Sequence, residues 1–210
     1  AFDAERALAL ARETFQIDRG VRNGEWPKPR GLSLTGRTLG LVGMGDIGRN
    51  LARRALASDM KIVAYDPFYK ETPPAGIELA PWPQRIGEAD FIAFTCALTP
   101  SSHHMLNADV LKQVKQGVRI VNVARGPLID DEALLAALDT GHIGHATLDV
   151  FRVEPLPQDH PFWSHPRVTV TPHIAADTRA ITSSKVIAEN IRRGEAGEPL
   201  LHLVDRRLGY

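Results

Sequence analysis

Short runs of apolar residues recur along the chain, separated by stretches whose apolar positions fall three or four apart. The runs read as buried strands, which need apolar side chains on both faces of a sheet, and the stretches as helices, which need only one apolar stripe. Strands are predicted at Leu39–Val42, Ile62–Tyr65, Ile77–Leu79, Phe91–Phe94, Ile120–Val123, His145–Val150 and Val168–Thr171. Helices are predicted over the first 20 residues, ending near Gly20, then over Ile47–Ala57, Ala108–Val114, Asp131–Asp139 and about Thr178 to Arg193, before a tail of 17 residues. Residues 21–37, rich in Gly and Pro, read as a loop. Strands alternating with helices predict an α/β fold, a doubly wound parallel sheet covered on both faces. Ligands in such a sheet sit beyond the carboxyl ends of the strands, where strand order reverses. The loops that matter are therefore 43–48, 66–68, 95–102, 124–129, 149–156 and 171–177.

The first of these loops reads Gly43-Met44-Gly45-Asp46-Ile47-Gly48, with a strand before it and a helix after it. Three glycines at this spacing permit a tight turn, close approach of backbone to a pyrophosphate, and close packing of helix on strand. The helix N-terminus then offers unpaired N–H groups and the positive end of a dipole to the phosphates. Asp66 ends the next strand, 18 residues after Gly48, where a carboxylate accepts hydrogen bonds from ribose hydroxyls and repels a 2′-phosphate. NAD is expected over NADP, although Lys70 lies nearby. A plain glycine turn and an ordinary Asp-Pro turn are the alternatives.

Composition narrows the partners. Lys plus Arg and Asp plus Glu both number 25, so no net charge draws the chain toward nucleic acid or anionic membrane. Anionic ligands must be held by local charge or by oriented backbone. The longest apolar stretch, Phe91 to Leu98, is too short to span a bilayer, and the charged, amphipathic N-terminus is unlike a secretion signal. The single cysteine, Cys96, excludes an internal disulfide and fits a reducing compartment, with the cytoplasm expected. It sits in an apolar segment without an activating cation, which favours inert packing. His103 and His104 are adjacent and lack a Cys or carboxylate cluster, so loop histidines are expected rather than a metal site.

Three further blocks are specific. Ile120-Val121-Asn122-Val123-Ala124-Arg125-Gly126-Pro127-Leu128-Ile129 leads into Asp131-Glu132-Ala133-Leu134. Leu148-Asp149-Val150-Phe151 is followed by Glu154-Pro155, and Thr171-Pro172-His173-Ile174-Ala175 comes last. With the glycine loop and Ala97-Leu98-Thr99-Pro100, these blocks closely resemble the D-isomer-specific 2-hydroxyacid dehydrogenase family in order and spacing, from about residue 1 to the end. The resemblance implies that Arg125 binds substrate, Glu154 supports the base and His173 is the general acid/base. It implies a cofactor site of Gly43, Gly45, Asp46, Ile47, Gly48 and Asp66, with Thr95, Cys96 and Ala97 along the cofactor's path. Val123 and Ala124 would lie beside the nicotinamide ring and Asp149 would hold its carboxamide, while Arg125, His173 and Ala175 also count among the cofactor contacts.

The chemistry asks for the same groups. Reduction of a 2-oxo acid delivers a hydride to C2 and a proton to the carbonyl oxygen. Histidine, with an unperturbed pKa of about 6.5, is a natural proton donor, and a carboxylate beside it favours the imidazolium and fixes the ring. A planar guanidinium can grip the substrate carboxylate or polarise the keto oxygen. Alone, each residue has an ordinary alternative: a solvated Arg, an unpartnered loop Glu, a His in a turn.

Two positions depart from the commonest family pattern, Thr95 and Ala97, where histidine and proline are more usual, which leaves the geometry of that loop open. Glu154 argues against the formate dehydrogenase branch, which typically carries glutamine there. Family members also have a substrate domain of about 100 residues ahead of this region. Residues 1–177 are therefore expected to form the dinucleotide-binding domain and residues 178–210 the closing helix of an incomplete substrate domain. The chain is expected to be a truncated piece that binds NAD and turns over poorly. Residues 1–30 are expected to form a homodimer surface, with Leu8, Leu10, Phe15 and Trp26 as apolar contacts. The expected activity is NAD-dependent hydride transfer with a small D-2-hydroxy or 2-oxo acid, such as glyoxylate, hydroxypyruvate or a phosphoglycerate relative. The alternatives are a protein-recruiting module like the C-terminal-binding-protein corepressors, which share this fold, and a cofactor-binding fragment without turnover.

Overall fold

The strands form where apolar side chains can be buried on both sides of one sheet. The computed structural model describes residues 14–28, 31–175, 180–204 and 206, apart from the side chains of Phe15, Gln16 and Thr182. Seven parallel strands run in the order β3-β2-β1-β4-β5-β6-β7: β1 (Thr38–Val42), β2 (Lys61–Tyr65), β3 (Ile77–Leu79), β4 (Phe91–Phe94), β5 (Val118–Asn122), β6 (Ile143–Leu148) and β7 (Val168–Val170). The order reverses between β1 and β4, which places the crevice of a doubly wound sheet at their carboxyl ends.

Side chains alternate across the sheet and so define two cores. Leu39 and Leu41 of β1, Ile62 and Ala64 of β2, and Phe91 and Ala93 of β4 pack with Leu51, Ala52 and Ala55 of the helix Asp46–Leu56. Val42, Val63, Ile92, Phe94, Ile120 and Leu148 face the other way. They join Val110 and Leu111 of the helix Ala108–Leu111 and Leu134 and Leu138 of the helix Asp131–Asp139. With Thr14–Arg22 as α1, these helices are α2, α3 and α4 in turn, and Ala180–Glu195 is α5. The chain divides into two compact units, residues 1–175 and 176–210. In the second, the Asn190 side chain closes a loop by accepting from Leu201 N at 2.7 Å and donating to Leu201 O at 3.2 Å.

The predicted elements are present, with shifted ends. α1 continues past Gly20 to Arg22, which pairs with Asp18 at 2.8 Å one turn earlier, so the glycine does not end the helix. β5 and β6 each begin two residues before their predicted starts and end before Val123 and Asp149 respectively. β7 stops at Val170 rather than Thr171, and α3 stops at Leu111 rather than Val114. α5 is observed from Ala180, its predicted first turn lying outside the described residues, and it runs on to Glu195. The N-terminal part of the helix predicted over the first 20 residues also lies outside them.

Candidate active site

The loops that follow β5 and β6 are each braced by a polar side chain at or just beyond the strand's end. Asn122 is the last residue of β5 and is 1% exposed. Its Oδ1 accepts from Ala124 N at 3.1 Å and its Nδ2 donates to Arg125 O at 2.9 Å. The turn that carries Arg125 is thus set by both atoms of one amide. Gly126 follows because nothing larger fits: an added Cβ would lie 2.1 Å from the carbonyl carbon of Phe151 and 2.4 Å from the nitrogen of Arg152. The arginine loop is therefore seated directly against the loop that carries Glu154.

Asp149 follows β6 and is fully buried. Its oxygens accept from the Thr171 hydroxyl, from Ile174 N at 3.1 Å and from Ala175 N at 2.8 Å. Its main-chain oxygen accepts from His173 N at 2.9 Å. The segment beyond β7 is thereby wrapped around one carboxylate, which holds His173 in the left-handed region at φ +51. A non-glycine residue enters that region at some cost, so the surrounding hydrogen bonds must maintain it.

Glu154 completes the arrangement. Its Oε1 accepts from Phe151 N at 2.8 Å, and its Oε2 lies 2.7 Å from His173 Nδ1. Burial pushes the Glu154 carboxyl up, but the bonds from His173 and Phe151 N, with the charges of His173 and Arg125, outweigh it and hold the group below its ordinary value. Arg125 is exposed, its Nη1 donating to Ala124 O at 2.6 Å. Three side chains spread between positions 125 and 173 thus share one electrostatic neighbourhood at the carboxyl ends of β5, β6 and β7. The His173 ring is tethered through Nδ1, and its side chain remains half exposed at 51%.

The glycine loop lies at the reversal point. Gly43 has φ +100, and an added Cβ would lie 2.7 Å from Cys96 N. At Gly48 an added Cβ would lie 2.0 Å from Gly43 O, so helix and loop touch there. At Gly45, by contrast, an added Cβ would meet nothing within 4 Å. That open ground before α2, beside the helix's free N–H groups, fits a pyrophosphate. Asp46 pairs with Arg49 at 2.7 Å, and Ile47 is exposed. Asp66 accepts from Met44 N at 2.8 Å and from Phe68 N at 2.9 Å, so its carboxylate also serves the loop itself. Beside it, Thr95, Cys96 and Ala97 are half-buried, as is Val123, while Ala124 is buried. The Cys96 thiol is pushed up to about 11, mainly by burial and further by Asp66, which leaves it protonated and unreactive.

Several further predictions concern side chains outside the site. Trp26 is 85% exposed; Leu8, Leu10 and the Phe15 side chain lie outside the described residues. His103 and His104 stack at 4.0 Å, and no group of metal-ligating side chains occurs among the described residues. No helix among them is long and apolar enough to cross a membrane. Sequence reasoning missed Asn122 and Thr171 as braces. The available signal was an Asn in an otherwise apolar strand and a Thr directly before Pro172.

Glycine loop, carboxylate and switch point together define a dinucleotide-binding domain. Residues 5–175 match the family described as D-isomer specific 2-hydroxyacid dehydrogenase, NAD binding domain, and the chain belongs to that family. It is 36% identical to a glyoxylate reductase of Korarchaeum cryptofilum over 96% of this chain and 64% of that protein. It is 39% identical to a chloroplastic D-3-phosphoglycerate dehydrogenase of Arabidopsis thaliana over 84% of this chain and 30% of that protein. These matches span between 30% and 64% of the two relatives' own lengths. A D-isomer specific 2-hydroxyacid dehydrogenase from Xanthobacter autotrophicus, solved with NADPH and MES, superposes with a TM-score of 0.90 at 35% identity. That comparison covers 100% of this chain and 87% of the solved one.

Proposed function

We propose that this chain supplies the cofactor and catalytic residues of a dehydrogenase acting on a small D-2-hydroxy acid or the matching 2-oxo acid. The observation that carries this reading is the 2.7 Å contact of Glu154 with His173, within reach of the Arg125 charge and at the mouth of a dinucleotide fold. In this reading Arg125 grips the substrate carboxylate, where a planar, permanent charge gives two parallel hydrogen bonds. His173 holds the proton that passes to and from the substrate oxygen at Nε2, its Nδ1 being tied to Glu154. The bound nicotinamide supplies the hydride, and the chain positions and polarises around it.

NAD is the proposed cofactor, because a carboxylate just after the second strand of such a unit, here Asp66, would repel a 2′-phosphate. Titrating the chain with NADH and with NADPH tests this, and tighter binding of NADPH would overturn it. Asp149, whose oxygens already hold the His173 segment, would take the nicotinamide carboxamide. Glyoxylate and hydroxypyruvate are the leading substrates. A panel of 2-oxo acids, followed by NADH consumption, tests the class. On the same panel His173→Ala should lower turnover by about 10² or more.

Residues 178–210 are assigned to a substrate-binding unit, and the first 30 residues to a homodimer surface. The exposure of Trp26 supports the latter. Light scattering over a range of concentrations tests it: a mass that stays monomeric would remove the dimer. A reducing compartment, taken as the cytoplasm, fits the single unpaired Cys96.

A further inference from the structure

The peptide joining Gly43 to Met44 is held at both ends. Its oxygen accepts from the Thr95 hydroxyl at 2.9 Å, and its N–H donates to Asp66 Oδ2 at 2.8 Å. Thr95 follows β4 and Asp66 follows β2, the two strands on either side of β1, from which the glycine loop springs. A trans peptide points its oxygen and its N–H in opposite directions, so neighbours on opposite sides can each take one end. The surroundings permit only this arrangement. Gly43 sits at φ +100 with Cys96 N pressed against it, and a flipped peptide would turn its oxygen toward the Asp66 carboxylate. The Thr95 Oγ1 also lies 3.1 Å from Val42 O, the longer of its two carbonyl contacts.

We propose that Thr95 is a positioning residue for the dinucleotide, acting with Asp66 to clamp the Gly43–Met44 peptide and so to fix the loop that receives the pyrophosphate. The proposal rests on the reading of this loop as a dinucleotide site, and it assigns Thr95 no contact with the cofactor. Asp66 then has two duties, one toward the ribose and one toward the loop. Loss of the Thr95 hydroxyl frees one end of the peptide and lets it tilt. A loop that must be reordered on binding takes up its ligand more weakly.

The test has two readouts. The first is amide hydrogen exchange at Met44 in the chain without cofactor, for wild type, Thr95→Val and Thr95→Ser. Thr95→Val should speed Met44 exchange by about five- to tenfold, the equivalent of one ordinary hydrogen bond, and Thr95→Ser should restore it. The second is affinity for NADH and for ADP-ribose, which should both fall in Thr95→Val by a similar factor and recover in Thr95→Ser. Should Thr95→Val fail to fold, Thr95→Ala carries the same comparison. Met44 exchange unchanged in the variant lacking the hydroxyl, or a serine variant as impaired as the valine one, would overturn the clamp. If the wild-type chain binds neither NADH nor NADPH, the dinucleotide reading falls, and the exchange measurement still decides the clamp.

Discussion

Gly45 and Gly126 are both glycines in loops after strands, yet they are glycines for opposite reasons. Gly126 is closed in by the backbone of Phe151 and Arg152, neither of which can move as a flexible side chain could. Gly126→Ala should cost about 3 kcal/mol or more in urea unfolding, because the overlap must push two functional loops apart. Gly45 faces open space at φ −68, a value that alanine adopts freely. Gly45→Ala should change stability by no more than about 1 kcal/mol, the range of helix N-cap substitutions, while weakening NADH binding at least about tenfold. Equal affinity in Gly45→Ala and wild type would show that no phosphate passes there. The three glycines of the loop were legible in sequence, and so was the arginine beside Gly126. The closeness of Gly126 to Phe151 was not, because 25 residues separate them and only the sheet brings them into contact.

The helices carry a similar lesson at the scale of the element. α4 begins at Asp131, one residue after Asp130, whose carboxylate accepts from Glu132 N at 3.1 Å and from Ala133 N at 3.2 Å. Two of the helix's unpaired donors are thereby satisfied, and Asp130→Ala should cost about 1 kcal/mol in chemical denaturation. No measurable loss would mean that solvent replaces the cap. α3 is similarly capped by Asn107, which accepts from Asp109 N and Val110 N. Its predicted length failed because Val114, although apolar and buried, packs from the turn after the helix rather than from its face. Apolar spacing reports which residues are buried and not which backbone presents them. Likewise β5 and β6 start earlier than expected because Val118 pairs with Ile143 ahead of the polar Arg119 and of Gly144, where the register shifts, so the apolar runs begin later than the strands do.

Two buried groups with shifted titration, His145 and Asp90, are expected to make stability depend on pH. His145, 9% exposed on β6, lies 2.9 Å from Thr169 Oγ1. Burial, followed by the charges of Arg119, His165 and Arg19, pushes it down to about 4. The unfolded chain binds a proton near pH 6.5 that the folded chain refuses until about 4, so stability falls as pH drops through this window. The loss should approach about 3 kcal/mol, and His145→Gln should remove most of that slope from denaturation curves taken between pH 7 and 4. A variant with an unchanged slope would assign the dependence to other groups. Asp90 acts at lower pH. It accepts from Lys115 at 2.6 Å, from Thr38 N at 3.0 Å and from Arg37 at 3.1 Å, tying the starts of β1 and β4 to the approach to β5. Burial pushes its carboxyl up, but these partners prevail and hold it below its usual value, so its contribution is present above that value and is lost on further acidification.

The sequence by itself determined the layered α/β class, the identity of the glycine loop and the family to which its blocks belong. These are local properties: burial periodicity follows from the geometry of strand and helix, and a phosphate loop is contiguous in the chain. Only the tertiary structure decided that Arg125, Glu154 and His173 share one neighbourhood, that Asn122 and Asp149 set the loops carrying two of them, and that Thr95 meets Asp66 across a single peptide. Those facts depend on which strands lie side by side. Strand order is a long-range property, fixed by packing both faces of the sheet at once, and no stretch of the chain encodes it alone.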